Sequence, residues 1–214
     1  MKSALLSMNR SNNIPVWRKS KDLSKQVSFW KNFIILTDPY ARKWGNPFIA
    51  YFLFLVQIIK NLKMIFIASD HAGYDLKESL KELLEEMMLE YVDIGPHAYD
   101  ELDDYPDYIY PAAKKVAEDP DKHKGIVIGG SGQGEAIVAN KVKGIRAGLY
   151  HGGPEEIVSL TRTHNNANVL ALGARFLTSG QAREAVRRWL GTSFPGEERH
   201  HRRIEKISQL ENGQ

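Results

Sequence analysis

Ile126-Val127-Ile128 runs straight into Gly129-Gly130-Ser131-Gly132-Gln133-Gly134-Glu135, and that loop into Ala136-Ile137-Val138-Ala139-Asn140-Lys141. An apolar run without polar alternation reads as a strand buried on both faces, as in a parallel sheet. The segment after the loop reads as the first turns of a helix. Strand, glycine turn and helix in that order restrict the chain to α/β architectures. The glycines let the backbone bend sharply and turn its N–H groups into an anion-binding concavity, where the helix N-terminus adds positive dipole. Glu135 closes the loop. A carboxylate beside a cradle for negative charge is what proton abstraction next to a carbonyl requires.

The same alternation continues on either side. Strand-like runs fall at 64–68, 91–94, 125–128, 146–150 and 168–172. Helices are expected after the first strand and at about 106–118, 134–143, 154–164, 179–190 and 197–211, with Gly144 as a helix C-cap. After the first strand, Leu76, Leu80, Leu83, Leu84, Met87 and Met88 form one stripe. Lys77, Glu78, Lys81, Glu82, Glu85 and Glu86 form the other. The pattern predicts a three-layer α/β/α, Rossmann-like domain on a five-stranded parallel sheet, with ligands beyond the carboxyl ends of the strands.

Charge divides the 214 residues unevenly. Residues 1–63 hold eleven basic and two acidic groups, a net +9, and the remaining eighteen basic and twenty-four acidic groups give −6. The excess of positive charge therefore belongs to the N-terminal segment, and residues 64–214 show no basic balance that would suit nucleic acid. The apolar run at 48–59 is twelve residues, roughly 18 Å as a helix and short of the ~30 Å hydrocarbon core. Three readings stand for 1–63: upstream sequence before a native start at Met64, an appendage packed on the domain, or a membrane anchor. The first is adopted, so 1–63 is an N-terminal extension, 64–214 the functional domain, and no membrane partner is expected. The chain has no cysteine, which removes disulfides, thiolate metal ligands and a cysteine nucleophile, and a reducing cytoplasmic setting is expected.

Polar groups recur at the ends of the strands. Asp70-His71 follows the first, the glycine loop the third, and Gly173-Ala174-Arg175 the fifth. Thr163-His164-Asn165-Asn166 closes the helix after the fourth, and Arg199-His200-His201-Arg202-Arg203 lies near the C-terminus. All are expected at one edge of the sheet. Singly, each has an ordinary use. Glu135 is either a first-turn carboxylate or a base, Asp70 a helix N-cap or a site residue, and Ser131 a turn stabiliser or a proton carrier. His164 either satisfies a helix C-terminus or joins the site. Arg199 and Arg203, four apart on a helix, are a solvated basic face or a phosphate clamp. The loop is neither G-x-G-x-x-G nor a Walker loop, and Glu135 would repel nucleotide phosphates. His200 and His201 lack a carboxylate–histidine spacing, so no metal and no cofactor are expected.

Together with Ser69-Asp70-His71-Ala72-Gly73-Tyr74, Tyr105-Pro106, Ala139-Asn140-Lys141 and Gly144-Ile145-Arg146-Ala147, these motifs resemble type B ribose-5-phosphate isomerase. That family includes galactose-6-phosphate and allose-6-phosphate isomerases. The resemblance covers nearly all of 64–214. It implies an aldose–ketose isomerase that works through a cis-enediolate without metal. Some members place a cysteine base where this chain has Gly129; Glu135 matches the subgroup with a glutamate base. The resemblance further implies Asp70 and His164 in ring opening, and Ser131 in moving a proton between O1 and O2. Backbone amides around Gly130, Gly132 and Gly134 would steady the oxyanion. His71, Asn165, Arg175, Arg199 and Arg203 would bind the substrate and its phosphate. It implies a homodimer, or a dimer of dimers, with the group from His164 to Arg175 reaching the loop of a neighbouring chain. The expected substrate is ribose 5-phosphate. The alternatives are a six-carbon sugar phosphate, a non-catalytic sugar-phosphate-binding domain, and a membrane-tethered role for 1–63.

Overall fold

Alternating apolar residues determine how the sheet is covered. β1 (Ile65–Ser69) sends Ile65 and Ile67 to one face and Phe66 and Ala68 to the other, all of them buried. With β2 (Tyr91–Gly95), β3 (Lys124–Gly129), β4 (Ala147–Tyr150) and β5 (Val169–Gly173) it forms one parallel sheet in the order β2-β1-β3-β5-β4. The helices α1 (Tyr74–Glu86), α2 (Pro106–Ala117), α3 (Gln133–Ala139), α4 (Glu156–Asn165), α5 (Ser179–Gly191) and α6 (Glu198–Glu211) surround it. The helices α1, α4 and α5 bury the Ile67 face, and α2 and α3 the Phe66 face. Helix α6 packs against α4. This is the three-layer α/β/α arrangement with five parallel strands.

The structure is a computed structural model and describes residues 63–213. Lys63–Gln214 forms a compact unit of its own. The readings of the N-terminal segment lie outside the described residues. Among those described, no helix is long and apolar enough to cross a membrane.

The strand order reverses between neighbours β1 and β3, so a crevice opens between their carboxyl ends. The segments that carry Asp70 and Glu135 leave the sheet there.

Three local expectations are corrected. Lys77, placed on the polar stripe of α1, is fully buried: its Nζ donates to Asp93 Oδ1 and Oδ2 at 2.9 and 2.8 Å and to the Pro96 carbonyl at 2.6 Å. A buried ammonium is tolerated because all three of its donors are taken. Met88 leaves the apolar stripe because α1 stops at Glu86. Its φ of 54° turns the chain, and Met88 N–H to Glu85 O and Leu89 N–H to Leu84 O, both 2.9 Å, close the helix end.

Gly144 is likewise not a helix cap. Helix α3 ends at Ala139, and the Asn140 side chain is drawn instead to β4, accepting from Ala147 N–H at 2.8 Å and donating to its carbonyl at 3.1 Å. Gly144, with φ of 81°, serves the turn that follows.

Candidate active site

A cavity of about 440 Å³ lies at the carboxyl ends of β1 and β3 and is lined by Asp70, His71, Gly130, Ser131, Gly134, Glu135 and Arg175. Its size suits a small-molecule site. Asp70 keeps its capping use, since its Oδ1 accepts the Gly73 N–H at 3.1 Å over a short 3-10 turn, His71–Gly73. Ser131 also keeps its turn use, accepting the Gln133 N–H at 3.3 Å. Both face the cavity nonetheless.

Glu135 is the decisive residue. It lies in the first turn of α3 and is 3% exposed. A Cβ at residue 129 would fall inside its carboxyl group, 2.6 Å from Oε2 and closer to Oε1 and Cδ. The carboxyl therefore occupies the volume that a side chain on residue 129 would fill. Glycine at 129 and glutamate at 135 are one arrangement, and the cysteine position of the resemblance is filled here by a carboxylate from the next helix. Burial raises the Glu135 pKa, its own backbone N–H and that of Gly132 oppose the rise, and the charge on Asp70 adds to it. Gly132 itself has φ of 77°, and a Cβ there would meet Leu149 Cδ1 at 2.6 Å and the Leu172 carbonyl carbon at 2.8 Å.

Arg175 belongs with this cavity in its own chain, not with His164. Ala174 N–H bonds Gly129 O at 2.8 Å and Arg175 N–H bonds Gly130 O at 3.0 Å. These bonds draw the turn after β5 onto the glycine loop and set the guanidinium against Gly130.

His164, Asn165, Arg199 and Arg203 do not reach the cavity, which corrects the expectation of a single edge. A helix that follows a parallel strand returns the chain to the sheet's other edge. The last turn of α4, with His164 and Asn165, accordingly lies just before Val169, at the amino end of β5. Asn165 borders a separate hollow with Arg146 and Ile207. His164 stacks on the buried His200 of α6, ring centroids 4.3 Å apart, which holds α6 and its exposed Arg199 and Arg203 at that end. Among the described residues, Arg199 bonds Glu197, at 2.9 Å.

Tyr105 and Phe176 also line the cavity, and Asp103 bonds His71 behind it. Tyr105 belongs to the Tyr105-Pro106 pair, to which the resemblance assigns no role. Nothing in the spacing of Phe176 or Asp103 marks them, because Phe176 joins the lining and Asp103 meets His71 only through tertiary packing.

The sequence pattern described as Ribose/Galactose Isomerase matches residues 65–207, more than half of the chain. The chain belongs to the ribose/galactose isomerase family. Within that family it is 45% identical over 147 residues to the "Probable ribose-5-phosphate isomerase B" of Mycoplasma genitalium, covering 69% of this chain and 95% of that one. A crystal structure of the M. genitalium ribose-5-phosphate isomerase B with bound ribulose-5-phosphate superposes with a TM-score of 0.68 at 44% identity, over 71% of this chain and 97% of that one. The Clostridium thermocellum ribose-5-phosphate isomerase B gives 0.65 at 40% identity, over 70% and 98%. The ribose/galactose isomerase match leaves residues 1–64 outside it.

Proposed function

We propose that this chain interconverts ribose 5-phosphate and ribulose 5-phosphate with Glu135 as the base. The observation that carries the reading is the buried Glu135 carboxyl, lodged over Gly129 in a cavity shared with Asp70, Ser131 and Arg175. The resemblance assigns each step. Asp70 assists ring opening. Glu135 takes the C2 proton of the open aldose, and the C–H electron pair forms the enediolate with its charge on O1. The Ser131 hydroxyl passes a proton from O2 to O1, and Glu135 returns its proton to C1. A carboxyl with a raised pKa is a stronger base than an ordinary glutamate. Loop amides steady the enediolate.

The names of the relatives support a pentose phosphate over a six-carbon one. Turnover of ribose 5-phosphate, allose 6-phosphate and galactose 6-phosphate by the full chain tests this. The value of kcat/KM for ribose 5-phosphate is expected to exceed the others by about tenfold or more, the scale on which one additional sugar carbon is discriminated. Equal or reversed values would favour the six-carbon reading. We place the protein in the cytoplasm, since a charged sugar phosphate does not cross lipid.

The separation of His164, Asn165, Arg199 and Arg203 from the cavity supports a homodimer in which those residues complete the site of a second copy. Arg175 and His71 would then meet the phosphate from one chain, and Arg199 and Arg203 from the other. Mixing two inactive variants tests it. Glu135→Gln and Arg199→Ala/Arg203→Ala, combined in equal amounts and allowed to exchange subunits, are expected to recover about a quarter of wild-type turnover, because half of the dimers then hold one intact site. No recovery despite subunit exchange would place the two groups in unrelated sites.

A further inference from the structure

The loop joining β2 to α2 brings Asp103 against the cavity wall. Its Oδ1 lies 2.7 Å from His71 Nδ1 and accepts the His71 backbone N–H at 3.0 Å. The Asp103 side chain is 4% exposed, while that of His71 keeps 26%. Asp103 Oδ2 is buried without a partner among the described residues. Tyr99 meets the imidazole edge-on, 6.4 Å between centroids. Nδ1 is engaged, so Nε2 is the ring nitrogen left for a ligand. Burying a carboxylate with an unfilled oxygen is unfavourable, and tethering one backbone N–H does not need a charge.

We propose that Asp103 is a positioning residue that locks the His71 imidazole as an Nδ1 donor and so presents Nε2–H to the phosphate of the substrate. The proposal rests on the reading of His71 as a phosphate contact. The charges around the ring favour it. The hydrogen bond to Asp103 raises the His71 pKa, burial opposes, Asp70 adds to the rise and Arg175 opposes it. Glu135 lines the same cavity. The imidazolium is the form a phosphate dianion binds, and it is present below the raised pKa and lost above it.

Asp103→Asn keeps an oxygen for the His71 N–H and removes the charge. Ring-nitrogen NMR titration of the free protein is expected to show the His71 midpoint moved to lower pH. At about pH 7.5 the KM for ribose 5-phosphate is expected to rise about tenfold, with kcat within about twofold. In a His71→Gln background, which itself raises KM, Asp103→Asn is expected to add nothing. An unmoved His71 midpoint, or the same KM penalty with and without His71, overturns the proposal. A His71→Gln variant with unchanged KM overturns the phosphate role of His71 and the proposal with it. Failure of the wild-type chain to turn over ribose 5-phosphate would instead sink the isomerase reading, and the titration would still decide whether Asp103 sets the His71 ring.

Discussion

Glu135→Gln is expected to reduce kcat about 10³-fold, within the range that a general base contributes, with KM for ribose 5-phosphate nearly unchanged. Glutamine keeps the shape that fills the space over Gly129, so substrate should enter as before. What it lacks is a site for the C2 proton. Loss of folding would not explain the defect. A group whose pKa is raised in the folded state favours that state below the unfolded pKa, and the benefit is lost as pH rises through the folded value. Above the folded value the native chain carries a buried carboxylate at some expense in stability, and glutamine removes it. The melting temperature of Glu135→Gln should equal or exceed that of the wild type. A lowered melting temperature together with lost binding would point to a structural carboxylate.

Gly129→Ala should be nearly as damaging, although alanine is the smallest side chain that can be added. The new methyl group would coincide with the Glu135 carboxyl. The strand cannot yield easily, because Gly129 lies in β3 and pairs with Gly173 of β5 while its carbonyl accepts Ala174 N–H at 2.8 Å. The side chain of Glu135 must move, and a displacement of about 1 Å at a reacting group costs about 10²-fold in rate. Overpacking of this kind also destabilises by about 1–3 kcal/mol. Steady-state kinetics and thermal unfolding on the purified variant check both effects. Wild-type kcat in Gly129→Ala would mean that the carboxyl does its work from somewhere else.

The five strands were legible because each is a short, mainly apolar run followed by a turn residue, and Ile126-Val127-Ile128 without alternation marked the sheet as parallel. The glycine loop and Glu135 were legible for a local reason: strand, turn and helix are contiguous in sequence. Direction was the failing. His164 and Arg175 are eleven positions apart and both sit at element ends, but one precedes β5 and the other follows it, so the sheet separates them. Lys77 misled because a buried lysine and an exposed one occupy the same kind of helical position. Only the approach of Asp93 and the Pro96 carbonyl distinguishes them. Asp103 was hidden in an acidic loop whose approach to His71 depends on tertiary packing.

Ribose 5-phosphate carrying deuterium at C2, turned over in ordinary water and followed by NMR, reports how the hydrogen travels. If Glu135 carries it as a proton, part of the deuterium passes to the solvent while the remainder appears at C1 of ribulose 5-phosphate, and Glu135→Gln stops both. Complete transfer of deuterium to C1 with none released, unaffected by Glu135→Gln, would show a direct hydride shift and leave the buried carboxyl without a part in the reaction.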